Sequence, residues 1–92
     1  MPEPTIGSIP DLVKIAILRT TGDLHPDPTT VDDGIAMSDF GFTFLNYSRL
    51  TVRLDQIAAV FNPSADIREQ DIEQCTTVLD CIKLVQAAAK TL

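Results

Sequence analysis

Residues 21–40 cannot form a continuous helix, and this divides the chain. Pro26 and Pro28 remove backbone donors and clash with any preceding helical turn. The same stretch carries five acids (Asp23, Asp27, Asp32, Asp33 and Asp39) and no Lys or Arg. Ordered elements must therefore lie on either side of a long connection. Three uses compete for the acids: a solvated loop, a divalent-cation site and a docking surface. Their irregular spacing favours the loop, because the glycine and terminal acid of a calcium-binding loop are out of register.

Helical periodicity occupies the rest. Ile9, Leu12, Val13, Ala16 and Ile17 recur at helical spacing, with Ser8 as N-cap, Pro10 in the first turn and Gly22 beyond the end. This predicts a first helix over 9–20, after a loose leader at 1–7. A second helix is expected over 43–61, capped by Thr43 or Asn46 and stopped by Asn62-Pro63. Leu45, Leu50, Val52, Leu54, Ile57, Val60 and Phe61 supply its apolar positions. A short third helix is expected at Glu69–Glu73. Thr76 or Thr77 caps a last helix carrying Val78, Leu79, Ile82, Leu84 and Val85. No segment reads as a strand. The expectation is an all-α single domain over 1–92, a four-helix bundle with a long first connection and a short third helix.

Composition excludes several functions. The net charge of −6 repels phosphate backbones and argues against nucleic-acid binding. No uncharged run approaches the roughly 18 residues that span a bilayer, and no basic start precedes an apolar stretch. A cytoplasmic monomer is expected. Cys75 and Cys81, six apart, fit neither a disulfide framework nor a metal knuckle, and the one histidine, His25, is remote in sequence. Two inert, partly buried thiols are expected. Without a nucleophile–histidine–acid set, neither catalytic nor metal-ligating residues are assigned.

The segment Asp39-Phe40-Gly41-Phe42-Thr43-Phe44-Leu45 resembles the Asp-x-Gly-x-Asp/Thr-Ser-Leu signature that opens the second helix of acyl carrier proteins. Leu50, Val52, Leu54 and Asp55 continue it in register. Thr29-Thr30-Val31-Asp32-Asp33 is similar to that family's threonine-and-acid segment. Ile67 to Asp80, with Thr76-Thr77-Val78, resembles its third helix and the start of its fourth. Lys14-Ile15-Ala16 is a weaker match to its first. The resemblance covers nearly the whole chain and implies a bundle of the acyl-carrier type.

The departures decide what such a chain can do. In the family the signature serine bears a 4′-phosphopantetheine arm, whose thiol carries acyl groups as thioesters. Here Phe44 stands at that place and has no oxygen to load. Ser48 lies one turn later on the same face. Counting back from Thr76-Thr77-Val78 lands near Ser48, whereas the local signature selects Phe44. The local signature takes precedence, because loop lengths vary freely. Ser38 is a third candidate. No cofactor is expected on Phe44; 4′-phosphopantetheine is expected only if Ser48 is modified.

The resemblance also implies a partner-binding face on the second helix, here Asp39, Phe44, Leu45, Ser48, Arg49, Val52 and Arg53. Acyl-carrier proteins usually present acids there to basic enzyme surfaces. Arg49 and Arg53 either redirect that docking or snorkel over apolar neighbours. Phe42 is expected to pack into the core, and Phe44 to be partly buried. The leading expectation is an arm-less carrier-like module that contacts acyl-chain or polyketide biosynthetic enzymes. Alternatives are a working carrier loaded on Ser48, an enzyme, and a helical interaction module unrelated to carriers.

Overall fold

The computed structural model describes residues 9–90; the expected leader and the Ser8 cap lie outside them. Four helices form, α1 (Ile9–Thr20), α2 (Phe44–Phe61), α3 (Glu69–Glu73) and α4 (Val78–Ala89), with 3₁₀ turns at Pro28–Thr30 and Met37–Phe40 in the first connection. Among the described residues there is no strand, only an isolated antiparallel bridge between Ala36 and Thr77. None of the helices is long and apolar enough to cross a membrane.

Each helix is set by a stripe and a cap. α1 buries Ile9, Val13, Ala16, Ile17 and Thr20, one face of a 3.6-residue period. Thr20 is the buried polar residue of this stripe, and its hydroxyl donates to the Ala16 carbonyl at 2.7 Å. Gly22 ends the helix at φ 99°, a conformation open mainly to glycine. Thr43 is the cap of α2: its hydroxyl accepts from the Asn46 amide at 3.2 Å, and Asn46 Oδ1 accepts from the Thr43 amide at 2.9 Å. Both expected cap residues thus act together in one reciprocal box. Thr77, rather than Thr76, caps α4, paired in the same way with Asp80.

α2 packs against both α1 and α4, α1 packs against α4, and α3 lies against α2. Leu50, Leu54 and Ala58, spaced by four, are the buried face of α2. Val52 and Val60, expected as apolar positions of that helix, are instead 56% and 63% exposed. α4 buries Val78, Cys81, Ile82, Val85 and Ala89. Three side chains tie elements at their ends. Asn46 Nδ2 donates to the Thr20 carbonyl (3.3 Å), Asn62 Nδ2 to the Ala88 carbonyl (2.9 Å), and Asp55 Oδ1 accepts from the Ile67 amide (2.9 Å).

The first connection is fastened to the start of α4. The Met37 amide donates to the Thr76 carbonyl at 2.8 Å, Val78 to Ile35 at 3.0 Å, and Leu79 to Asp33 at 2.9 Å. Val31 and Met37 are buried in the core, so the connection contributes apolar surface as well as length. Three of its five acids have structural tasks. Asp27 accepts from the Thr29 amide and hydroxyl, Asp23 from the His25 amide, and Asp33 pairs with Lys14 at 2.7 Å.

Leu54→Ala removes a fully buried side chain and should lower unfolding stability by about 2–5 kcal/mol, read from urea midpoints. The Asp80 carboxyl is held below its ordinary value, chiefly by the Thr76 and then the Thr77 amide. A depressed folded-state pKa contributes stability above the ordinary carboxylate value, about pH 4, that is lost as pH falls further. Asp80→Asn should therefore flatten the decline in melting temperature below about pH 4 and leave its slope near neutrality unchanged.

Candidate functional site

An open trough of about 940 Å³ lies between α1 and α2. The α1 wall is Leu12, Ile15, Ala16 and Arg19. The α2 wall runs from Ser48 and Arg49 through Val52 and Arg53 to Ile57 and Val60. It exists because both helices carry more apolar residues than their buried stripes use. Leu12 and Ile15 lie beside the α1 stripe, and Val52 and Val60 beside the α2 stripe. These apolar residues line the trough together with Arg19, Arg49 and Arg53. No acidic residue lines it. A smaller depression of about 400 Å³ adjoins, where Asp23 and the 87% exposed Leu24 lie near Arg19 and Arg53.

The trough brings together Ser48, Arg49, Val52 and Arg53 from the expected partner-binding face. It does not include Asp39, Phe44 or Leu45. Asp39 sits exposed in the second 3₁₀ turn. Phe44 is the first residue of α2 and is 79% exposed, which overturns the expectation of partial burial. The preceding backbone explains this. Gly41 adopts φ 66° at the end of the second 3₁₀ turn, and Thr43 is extended as the cap. Phe42 is then turned inward, with its ring 5.6 Å from Phe40 and 5.4 Å from Tyr47, while Phe44 starts the helix on its outer side. Leu45 beside it is 57% exposed.

Ser48 has a different setting. Its hydroxyl lies 3.2 Å from Glu69 Oε2 on α3 and 3.5 Å from the Phe44 carbonyl. Glu69 Oε1 is buried and has no hydrogen-bond partner. Ser48 is therefore the donor that satisfies this half-buried carboxylate. Ser38, the third candidate hydroxyl, is exposed in the second 3₁₀ turn.

Sequence reasoning missed the α1 wall, above all Arg19. The available signal was the surplus of apolar residues on α1, more than one buried stripe requires. Periodicity shows which residues share a face, but not which faces oppose. The nucleophile candidates lie elsewhere. Cys81 is fully buried with Sγ 3.7 Å from Met37 Sδ, and Cys75 is half-buried at the end of α3. The neighbouring Cys75 thiol, and then burial, push the Cys81 thiol up, which keeps it neutral.

Comparison with family models, with curated proteins and with solved structures finds no match.

One thiol of the native protein should react with a small disulfide reagent at neutral pH and the second only in denaturant. Peptide mapping should place the first at Cys75; rapid native labelling of Cys81 would contradict the burial.

Proposed function

We propose that this chain is an acyl-carrier-like module, a four-helix bundle of that type, that bears no 4′-phosphopantetheine arm and acts by contact with acyl-chain or polyketide biosynthetic enzymes. The observation that carries the reading is Phe44. It occupies the first position of α2, the place of the serine in the signature, and presents an apolar ring that is 79% exposed. The four-helix order, the long first connection and the short α3 agree with that resemblance.

The geometry at Ser48 supports the arm-less reading over loading one turn later. A phosphodiester on its oxygen would remove the donor to Glu69 and set a second negative group against the carboxylate at 3.2 Å. Both effects raise the cost of the modified state.

The test is intact mass after incubation with coenzyme A and a broad-specificity phosphopantetheinyl transferase. Wild type should keep its mass, and Phe44→Ser should gain one arm. An arm on wild type that disappears in Ser48→Ala would make the protein a working carrier and overturn the proposal. Failure of Phe44→Ser to load, with its helical spectrum intact, would overturn the register that places Phe44 at the attachment position.

A further inference from the structure

We propose that the α1–α2 trough seats an amphipathic helix of a partner protein, with its apolar stripe on the trough's apolar residues and Asp or Glu along its flanks. This deepens the contact function proposed above and rests on it, but not on the register of Phe44.

Charge carries the argument. The chain holds seven Lys and Arg, and three of them, Arg19, Arg49 and Arg53, line this one trough with no acid among them. The ion pairs among the described residues are Lys14–Asp33 and Arg68–Asp66, so none of the three has a carboxylate within 4.0 Å there. Net charge is −6, hence −9 once these three are set aside. An acidic partner is repelled by the rest of the chain and attracted here, which orients the encounter as well as strengthening it. Arginine on both walls can pair with carboxylates on both flanks of a helix lying between them.

Shape selects a helix over a small ligand. The trough is open along its length, whereas small-molecule sites enclose most of the ligand surface. Its α2 wall from Ser48 to Val60 covers about 18 Å at 1.5 Å per residue, some three turns of a docked helix. Val52 and Val60, more than half exposed, lie eight residues apart on that wall, just over two turns, and offer apolar surface over a length that a docked helix's stripe can follow.

The test is fluorescence anisotropy with two labelled peptides of about 18 residues, long enough for five helical turns. They share one leucine stripe; one is flanked by Glu and the other by Lys. The Glu peptide should bind saturably and the Lys peptide about tenfold more weakly or less, a difference of about 1.4 kcal/mol. The double variant Arg49→Glu/Arg53→Glu should reverse the preference, and Arg19→Glu should weaken the Glu peptide from the facing wall. Circular dichroism of each variant checks that the fold persists. Equal binding of the two peptides, arginine variants without effect, or stoichiometric displacement of the peptide by a long-chain fatty-acid anion would overturn the proposal. The two readings fail separately. Loading of wild type in the mass experiment removes the arm-less reading and leaves a charge-selective peptide result standing. An unchanged mass with no peptide selectivity removes the trough proposal alone.

Discussion

Three backbone hydrogen bonds between residues 33–37 and the start of α4 hold the molecule in its arrangement. Met37 to Thr76, Val78 to Ile35 and Leu79 to Asp33 join segments about forty positions apart in sequence. They satisfy groups that would otherwise be orphaned at the N-terminus of α4 and in the connection. They also anchor Met37 beside Cys81 in the core. From that fixed point the chain has only the second 3₁₀ turn and the three residues Gly41, Phe42 and Thr43 before α2 begins. The direction in which α2 leaves, and hence which of its faces meets α1, follows from this anchor and from the Asn46 bond to the end of α1.

α2 serves two surfaces at once. Leu50, Leu54 and Ala58 complete the core. Val52, Ile57 and Val60 face the trough. A helix serving only the core would place polar residues at the positions of Val52 and Val60. Exposed apolar groups flanked by unpaired arginines have a solvation cost that gives nothing back within the described fold. The same holds for Leu12 and Ile15 across the trough. Surplus hydrophobicity on two facing helices is a joint feature, and this makes a shared occupant a better account than two independent accidents.

Much of the fold was legible in the sequence because it depended on local chemistry. The bounds of α1 follow from periodicity, and α2 begins one residue after its expected start because Thr43 is the cap. The choice between Thr76 and Thr77 was legible too, because only Thr77 has an acid, Asp80, at the capping-box spacing of three. The two 3₁₀ turns and the Ala36–Thr77 bridge were not legible. They rest on backbone bonds between distant segments, which leave no side-chain pattern. The burial of Val31 and Met37 was hidden among acids that marked the segment as solvated. Of the trough, Ser48, Arg49, Val52 and Arg53 were legible on one helix. Arg19 was not, because its role depends on how α1 is rotated against α2.

The two ends of the same turn, Phe44 and Ser48, differ in what the fold asks of them. Ser48 is internally committed: its hydroxyl neutralises the demand of a half-buried carboxylate whose other oxygen has no partner. Losing that donor leaves an unsatisfied buried acceptor. Phe44 is uncommitted. Its ring is mostly in solvent, and the first-turn amide of Asn46 is already met by Thr43. A residue with little to lose inside the fold can change identity without cost to stability, whereas Ser48 cannot. Position 44 can therefore vary with the scaffold intact, and the trough begins one turn further along α2.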